Sequence, residues 1–208
     1  IVDRDHPNLA AVSTLDVGKR DLQQCADAVM RLHGEWLWHG GRADEASYRS
    51  GGGAIGWRRY RGGQRPTAKG NRFVWVSRRP AAADDHAAYR RYLDDVFMWA
   101  NTVSLAQSTQ RPVPTEVIPG DFFVQPGAPG HTVLLLDIAR SRDGQLVALI
   151  GQSFMPAQRF HVLRPRAGAS AWFELKATGV KTPFWRRFDW TSLRRFAGAT
   201  SAQRPAAQ

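Results

Sequence analysis

Two apolar runs, Thr132–Ala139 and Leu146–Gln152, flank the pentapeptide Ser141-Arg142-Asp143-Gly144-Gln145. An Asp-Gly pair at a loop tip supplies the positive φ that a tight antiparallel turn needs, so these residues predict a β-hairpin. The hairpin commits the second half of the chain to an antiparallel sheet. Shorter strand signals surround it. Val117–Val124 contains the turn Pro119-Gly120-Asp121 and then Phe122-Phe123-Val124, Phe160–Leu163 follows the hairpin, and the aromatic-rich stretch Trp172–Phe196 is expected to pack along the sheet as strand and turn pieces.

The first half carries the other periodicity. From Leu22 to His39, Cys25, Val29, Leu32 and Trp36 recur at helical spacing, and Gly40-Gly41 stops the pattern. Asp84-Asp85 is expected to cap a second helix reaching about Gln107, with Tyr89, Leu93, Val96, Phe97, Ala100 and Val103 facing inward. Residues 50–80 read as an antiparallel pair, Ile55–Tyr60 with Arg72–Val76, joined by the loop Arg61–Asn71. Gly51-Gly52-Gly53 lacks the lysine and following helix of a phosphate loop and reads as a turn. Helices first and sheet afterwards define an α+β fold class, with N-terminal helices packed on an antiparallel β-sheet. Residues 1–20 read as a lead-in segment, 21–196 as a single domain and 197–208 as a flexible tail of Ala, Gln, Ser and Pro.

With 208 residues, 43% of them hydrophobic and 11% aromatic, the chain has the material for one full core. No run approaches the roughly 20 apolar residues that span a bilayer, so no transmembrane segment is expected. A chain starting at Ile1 is compatible with a removed leader or a trimmed domain, although no apolar leader core is visible. The net charge of +11 is mostly arginine and is spread along the chain, as in Arg58-Arg59-Tyr60-Arg61, Arg78-Arg79, Arg90-Arg91, Arg186-Arg187 and Arg194-Arg195. No zinc-finger, RNA-recognition or helix-turn-helix pattern accompanies it, so nucleic acid is not the expected partner. Attraction to polyanionic envelope material is the alternative use of such charge. A lone cysteine forms no internal disulfide and leaves the redox compartment open.

That cysteine, Cys25, begins the first predicted helix in Gln23-Gln24-Cys25-Ala26-Asp27. A thiol there faces free backbone N–H groups and the positive end of the helix dipole, which favour thiolate. His131 heads the strand after Gly130, and Gln152 ends its hairpin partner. Pairing of 138–139 near 146–147 brings His131 and Gln152 to within a few strand positions of each other. The amide can then accept from one imidazole nitrogen and leave the other for the thiol, the order needed for nucleophilic catalysis. The Cys25 backbone N–H, helped by the side chain of Gln24 or Gln23, can form an oxyanion hole. Blander readings stand beside these: a small core cysteine, a turn histidine and a strand-ending glutamine.

The remaining candidates are weaker. His33 and His39 lack the i, i+4 spacing of a helical metal pair and no acidic residue completes a site, so neither zinc nor any other cofactor is expected. His86 lies near a cap and His161 in a late strand. Ser153 lacks the Gly-x-Ser-x-Gly elbow. Asp27 and Glu35 share a helix face but sit about 12 Å apart along the axis, too far for a glycosidase pair.

Several blocks resemble the domain of unknown function 4846 family of bacterial proteins: Gln24–Leu32, Lys69-Gly70-Asn71, Gly120–Val124, Pro129–Val133 and Gln152-Ser153-Phe154-Met155-Pro156-Ala157-Gln158. More remotely, Pro119–Val124 followed by Gly130-His131 is similar to the strands of NlpC-type papain-like cysteine peptidases, which cleave cell-wall peptides. That resemblance implies a papain-like fold with Cys25 as nucleophile, His131 as general base and Gln152 as orienting group. It departs from the family in having Gln24-Cys25-Ala26-Asp27 for the usual Asp-Cys-Ser-Gly, and Gln for the usual His, Asn or Asp. The implied function is a cysteine amidase or peptidase acting on peptide or amide substrates, among them cell-wall polymer, in the bacterial envelope, periplasmic or secreted. The alternatives are a non-catalytic binding protein on the same scaffold and a polyanion- or nucleic-acid-binding basic protein.

Overall fold

A computed structural model describes residues 2–77 and 83–199; the pair Arg78-Arg79 and the tail from 200 onward lie outside the described residues. In chain order the elements are β1 (Leu9–Val12), α1 (Cys25–His39), β2 (Ser47–Ser50), β3 (Gly53–Gly56), α2 (Trp57–Arg61), β4 (Gln64–Lys69), β5 (Arg72–Ser77), α3 (His86–Phe97) and α4 (Thr102–Ser108). Then come β6 (Phe122–Gln125), β7 (His131–Arg140), β8 (Leu146–Gln152), β9 (His161–Leu163), β10 (Trp172–Glu174), β11 (Val180–Lys181), β12 (Arg187–Phe188) and β13 (Leu193–Arg194). No helix of the described residues is long and apolar enough to cross a membrane.

The class is α+β with antiparallel sheets. The main sheet has seven strands in the order β1-β9-β8-β7-β6-β13, with β10 added beside β8. The Asp-Gly turn closes β7 on β8, with Arg140 opposite Leu146 and Ala139 opposite Val147. A bulge between Leu135 and Asp137 shifts the register by one. Side chains alternate faces along a strand, so the shift turns Ile138 to the same face as Val133 and Leu135.

Two cores result. On one face α1 lays Ala26, Val29 and Met30 against Phe122, Val124 and Leu134, and α3 adds Tyr89, Leu93 and Val96. Each large apolar side chain buried there contributes roughly 1.5–3 kcal/mol relative to exposure. On the other face Phe123, Val133, Leu135, Ile150 and Leu163 are covered by Phe173, Val180 and Phe188 from the C-terminal segment. The first helix thus defines one side of the sheet and the aromatic tail the other.

Three local expectations change. The long second helix is two, because Asn101 accepts from the N–H groups of Val103 and Ser104 and so caps α4 as a new start. The pair predicted between Ile55–Tyr60 and Arg72–Val76 is instead two hairpins, β2–β3 and β4–β5. Gly70-Asn71 makes a two-residue turn between Lys69 and Arg72, and Trp57–Arg61 is a short helix. Leu9–Val12, inside the stretch read as a lead-in, pairs with β9 at the edge of the main sheet. The first helix starts at Cys25, as expected of that residue.

Candidate active site

The start of α1 is pinned from outside the helix. Asp27 closes the first turn by accepting the Gln24 N–H on Oδ2 at 3.1 Å. Asp21 Oδ1 accepts from the Gln24 side-chain amide at 3.2 Å and from the Ala157 N–H at 2.6 Å. Ser153 Oγ donates to the Gln158 carbonyl at 2.6 Å, with the Gln23 carbonyl at 3.4 Å. The loop 153–158 therefore clamps the helix start to the end of β8. Ser153, fully buried and locked in this clamp, has no exposed hydroxyl.

Cys25 opens the helix beside the first residues of β7. Its Sγ contacts the Gly130 carbonyl at 3.9 Å, and the thiol is 5% exposed. Burial, with a smaller push from Asp27, raises the thiol to about 11, although the N–H groups of Ala26 and Thr132 act the other way. The sulfur thus touches the backbone on either side of His131. Gly130 has no side chain because a Cβ there would meet Thr102 Oγ1 at 2.2 Å and the Gly127 carbonyl at 2.8 Å.

The imidazole of His131 is 2% exposed and lies on the sheet face of Val133 and Leu135, whereas α1 covers the opposite face. His131 Nε2 and Gln152 Oε1 are 2.8 Å apart. Trp185 lies over the ring at 4.8 Å between centroids, and Phe154 meets it edge-on at 5.0 Å. Burial lowers His131 to about 4 despite the Gln152 hydrogen bond, so the ring is neutral at pH 7. Among the described residues no hydrogen bond joins the Cys25 thiol to the imidazole. At rest the protonated thiol and the neutral histidine lie on opposite faces of β7, and aromatic side chains close over the ring.

The two glutamines before Cys25 have different fates. Gln24 spends its amide on Asp21. Gln23 is fully buried, and Arg31 Nη1 donates to its Oε1 at 3.2 Å, leaving its Nε2 without a partner. An unmade hydrogen bond on a buried amide costs about 1–3 kcal/mol and marks a place for an acceptor. Asp27 Oδ1 is likewise buried without a partner, and burial raises that carboxyl to about 8.

Sequence reasoning under-weighted His161, which sits on β9 directly opposite Gln152. Its place on the strand next to the end of β8 was the available signal. Trp185 carried none, because a loop in the last thirty residues gives no local hint of reaching β7. His33 is half-buried, its ring stacked on Phe196 at 3.9 Å. His86 pairs with Glu35 at 2.7 Å. Among the described residues no group of three or more His, Cys, Asp or Glu is placed to hold a metal ion.

Compared with known proteins, residues 3–195 match the model of one family, described as "Domain of unknown function (4846)". No curated protein and no solved structure matches the chain.

Proposed function

The chain belongs to that family, and because the description carries no activity, we propose from its own residues that it is a cysteine amidase or peptidase built on a papain-like scaffold. Cys25 is the nucleophile, His131 the base and Gln152 the orienting group. Peptides of the bacterial cell envelope are the proposed substrates, met in the periplasm or outside the cell. The observation that carries this reading is the 2.8 Å hydrogen bond between His131 and Gln152, at the head of the strand whose preceding carbonyl holds the Cys25 thiol.

The chemistry starts from neutral partners. The Cys25 thiol and the His131 ring rest on opposite faces of β7, so the first turn of α1 has to carry Sγ off its Gly130 contact and round the head of the strand. There Sγ attacks the substrate carbonyl carbon and the thiol proton passes to His131 Nδ1. The developing oxyanion accepts from the Cys25 N–H and from the unpartnered Gln23 Nε2. The imidazolium then hands its proton to the leaving amine as the C–N bond breaks. Water, deprotonated by Nδ1, attacks the thioester, and the tetrahedral adduct collapses to release the acid and restore the thiol. Trp185 and Phe154 have to move aside for a substrate to arrive.

A peptide-bearing electrophile aimed at thiols tests it. Wild type is expected to be labelled at Cys25, Cys25→Ala not at all, and His131→Ala at least tenfold more slowly. Equal labelling of wild type and His131→Ala overturns the reading.

One observation favours a second reading, a binding protein on the same scaffold. A thiol held near 11, with an imidazole near 4 on the opposite face of the sheet, is a poor resting nucleophile. That reading predicts iodoacetamide alkylation of Cys25 slower than a free thiol at pH 8, unchanged by any peptide ligand. The amidase reading predicts acceleration when a peptide displaces Trp185.

A further inference from the structure

Gln152 touches two histidines, and the second explains why the first is set as it is. His161 on β9 is the cross-strand neighbour of Gln152 and is 2% exposed. Its Nδ1 lies 3.1 Å from the Arg159 carbonyl, and its Nε2 lies 3.3 Å from Gln152 Nε2. A carbonyl oxygen only accepts, so the His161 proton sits on Nδ1. Burial holds His161 below its ordinary value, which leaves the ring neutral and its Nε2 bare. A bare Nε2 accepts, so it is the NH2 end of the Gln152 amide that faces it. The oxygen end then faces His131 Nε2, and that nitrogen has to carry the single proton of a neutral ring.

We infer that His161 is a positioning residue of this site: anchored by the Arg159 carbonyl, it orients the Gln152 amide and thereby puts the His131 proton on Nε2 and the lone pair on Nδ1. The opposite amide orientation would need both nitrogens of His161 protonated, a buried cation with no carboxylate bonded to it among the described residues. What the free Nδ1 then does rests on the amidase reading; the proton placement does not.

The test reads protons rather than turnover. Histidine-selective 15N labelling and two-bond 1H–15N spectra at pH 7.5 report the tautomer of each ring. Wild type is expected to show one Nε2–H form at His131 and one Nδ1–H form at His161. In His161→Phe the Gln152 amide loses its acceptor, and the two His131 nitrogen shifts are expected to converge as tautomers mix. His161→Gln, whose side-chain oxygen reaches the Nε2 position and can accept from Gln152, is expected to restore the single form. An Nδ1–H form at His131 in wild type overturns the inference without any variant, as does an unchanged single tautomer in folded His161→Phe. With the peptide electrophile, His161→Phe is expected to label about twofold to fivefold more slowly, as part of His131 carries its proton on Nδ1, and His161→Gln near the wild-type rate. Unlabelled wild type showing the stated tautomers sinks the amidase reading and leaves this one supported.

Discussion

Arg31 Nη1 donates to Gln23 Oε1 at 3.2 Å, and this contact decides which end of the Gln23 amide is left free. Arg31 is itself buried and bonded to Glu35 at 2.6 Å, so it cannot swing away. The Gln23 NH2 therefore stays unpaired two residues before the thiol.

If that NH2 serves the oxyanion, Gln23→Ala lowers turnover of an amide substrate by roughly 10²-fold, the usual effect of deleting one such donor. Alkylation of Cys25 by iodoacetamide, which builds no oxyanion, is expected to change less than threefold. Parallel loss of both rates in a variant that melts like wild type would mean that Gln23 acts only through packing.

An ion pair between Arg195 and Asp121 ties the segment after β13 to the turn before β6. Nε and Nη2 of the arginine reach Oδ1 and Oδ2 at 2.6 and 2.7 Å, and the carboxylate is fully buried. Oδ2 also accepts from the Ile118 N–H at 2.9 Å. Removing one member of a buried pair strands the other charge, at a cost of about 3–5 kcal/mol. Arg195→Leu is therefore expected to destabilise by that amount in urea unfolding, and Arg195→Lys by less, since it keeps charge but loses the two-pronged geometry. A Leu variant within 1 kcal/mol (approximately) of wild type would refute the tie's importance.

The β7–β8 ladder was legible because its signals are local: a turn pair and two alternating runs. The chain order of Cys25 and His131 was legible for the same reason. The faces were not. That α1 packs on one side of β7 while the His131 ring points to the other depends on strand parity and sheet packing, which no nearby residue encodes. The Gly70-Asn71 turn was readable but was overridden by the longer loop assigned from Arg61 to Asn71. Asp121 looked like a turn residue, and its role as the anchor for Arg195 joins positions 74 residues apart. Trp185, bonded to Gln125 60 residues earlier, is hidden from any local reading in the same way.

Asp27 gives the protein a pH dependence opposite to that of an ordinary ion-paired carboxylate. Its carboxyl is raised from 3.8 to about 8 by burial. The unfolded chain ionises first, so folding stability falls as pH rises between those values, by a few kcal/mol in all. Asp27→Asn keeps an acceptor for the Gln24 N–H and is expected to flatten this decline between pH 7 and 8. The same change removes the charge that pushes the thiol up, so Cys25 is expected to alkylate several-fold faster at pH 9. A decline from pH 7 to 8 as steep in Asp27→Asn as in wild type would count against this assignment.

Buried His131 and half-buried His33 bound the stable range from below. His131 and His33 are each lowered from 6.5 to about 4, chiefly by burial. Lowered values mean that the unfolded chain binds the protons first, so their contribution is complete above 6.5 and is lost as pH falls through 4. Each accounts for roughly 3 kcal/mol across that interval. Two histidines outweigh the single opposing carboxyl below 6.5, and above it only Asp27 titrates within this set. Stability measured by urea unfolding is therefore expected to peak near pH 6.5. His33→Phe, which keeps a flat ring against Phe196, is expected to reduce the slope on the acid side by one proton and leave the alkaline side unchanged. An acid-side slope equal to that of wild type would show that His33 is protonated in the folded protein.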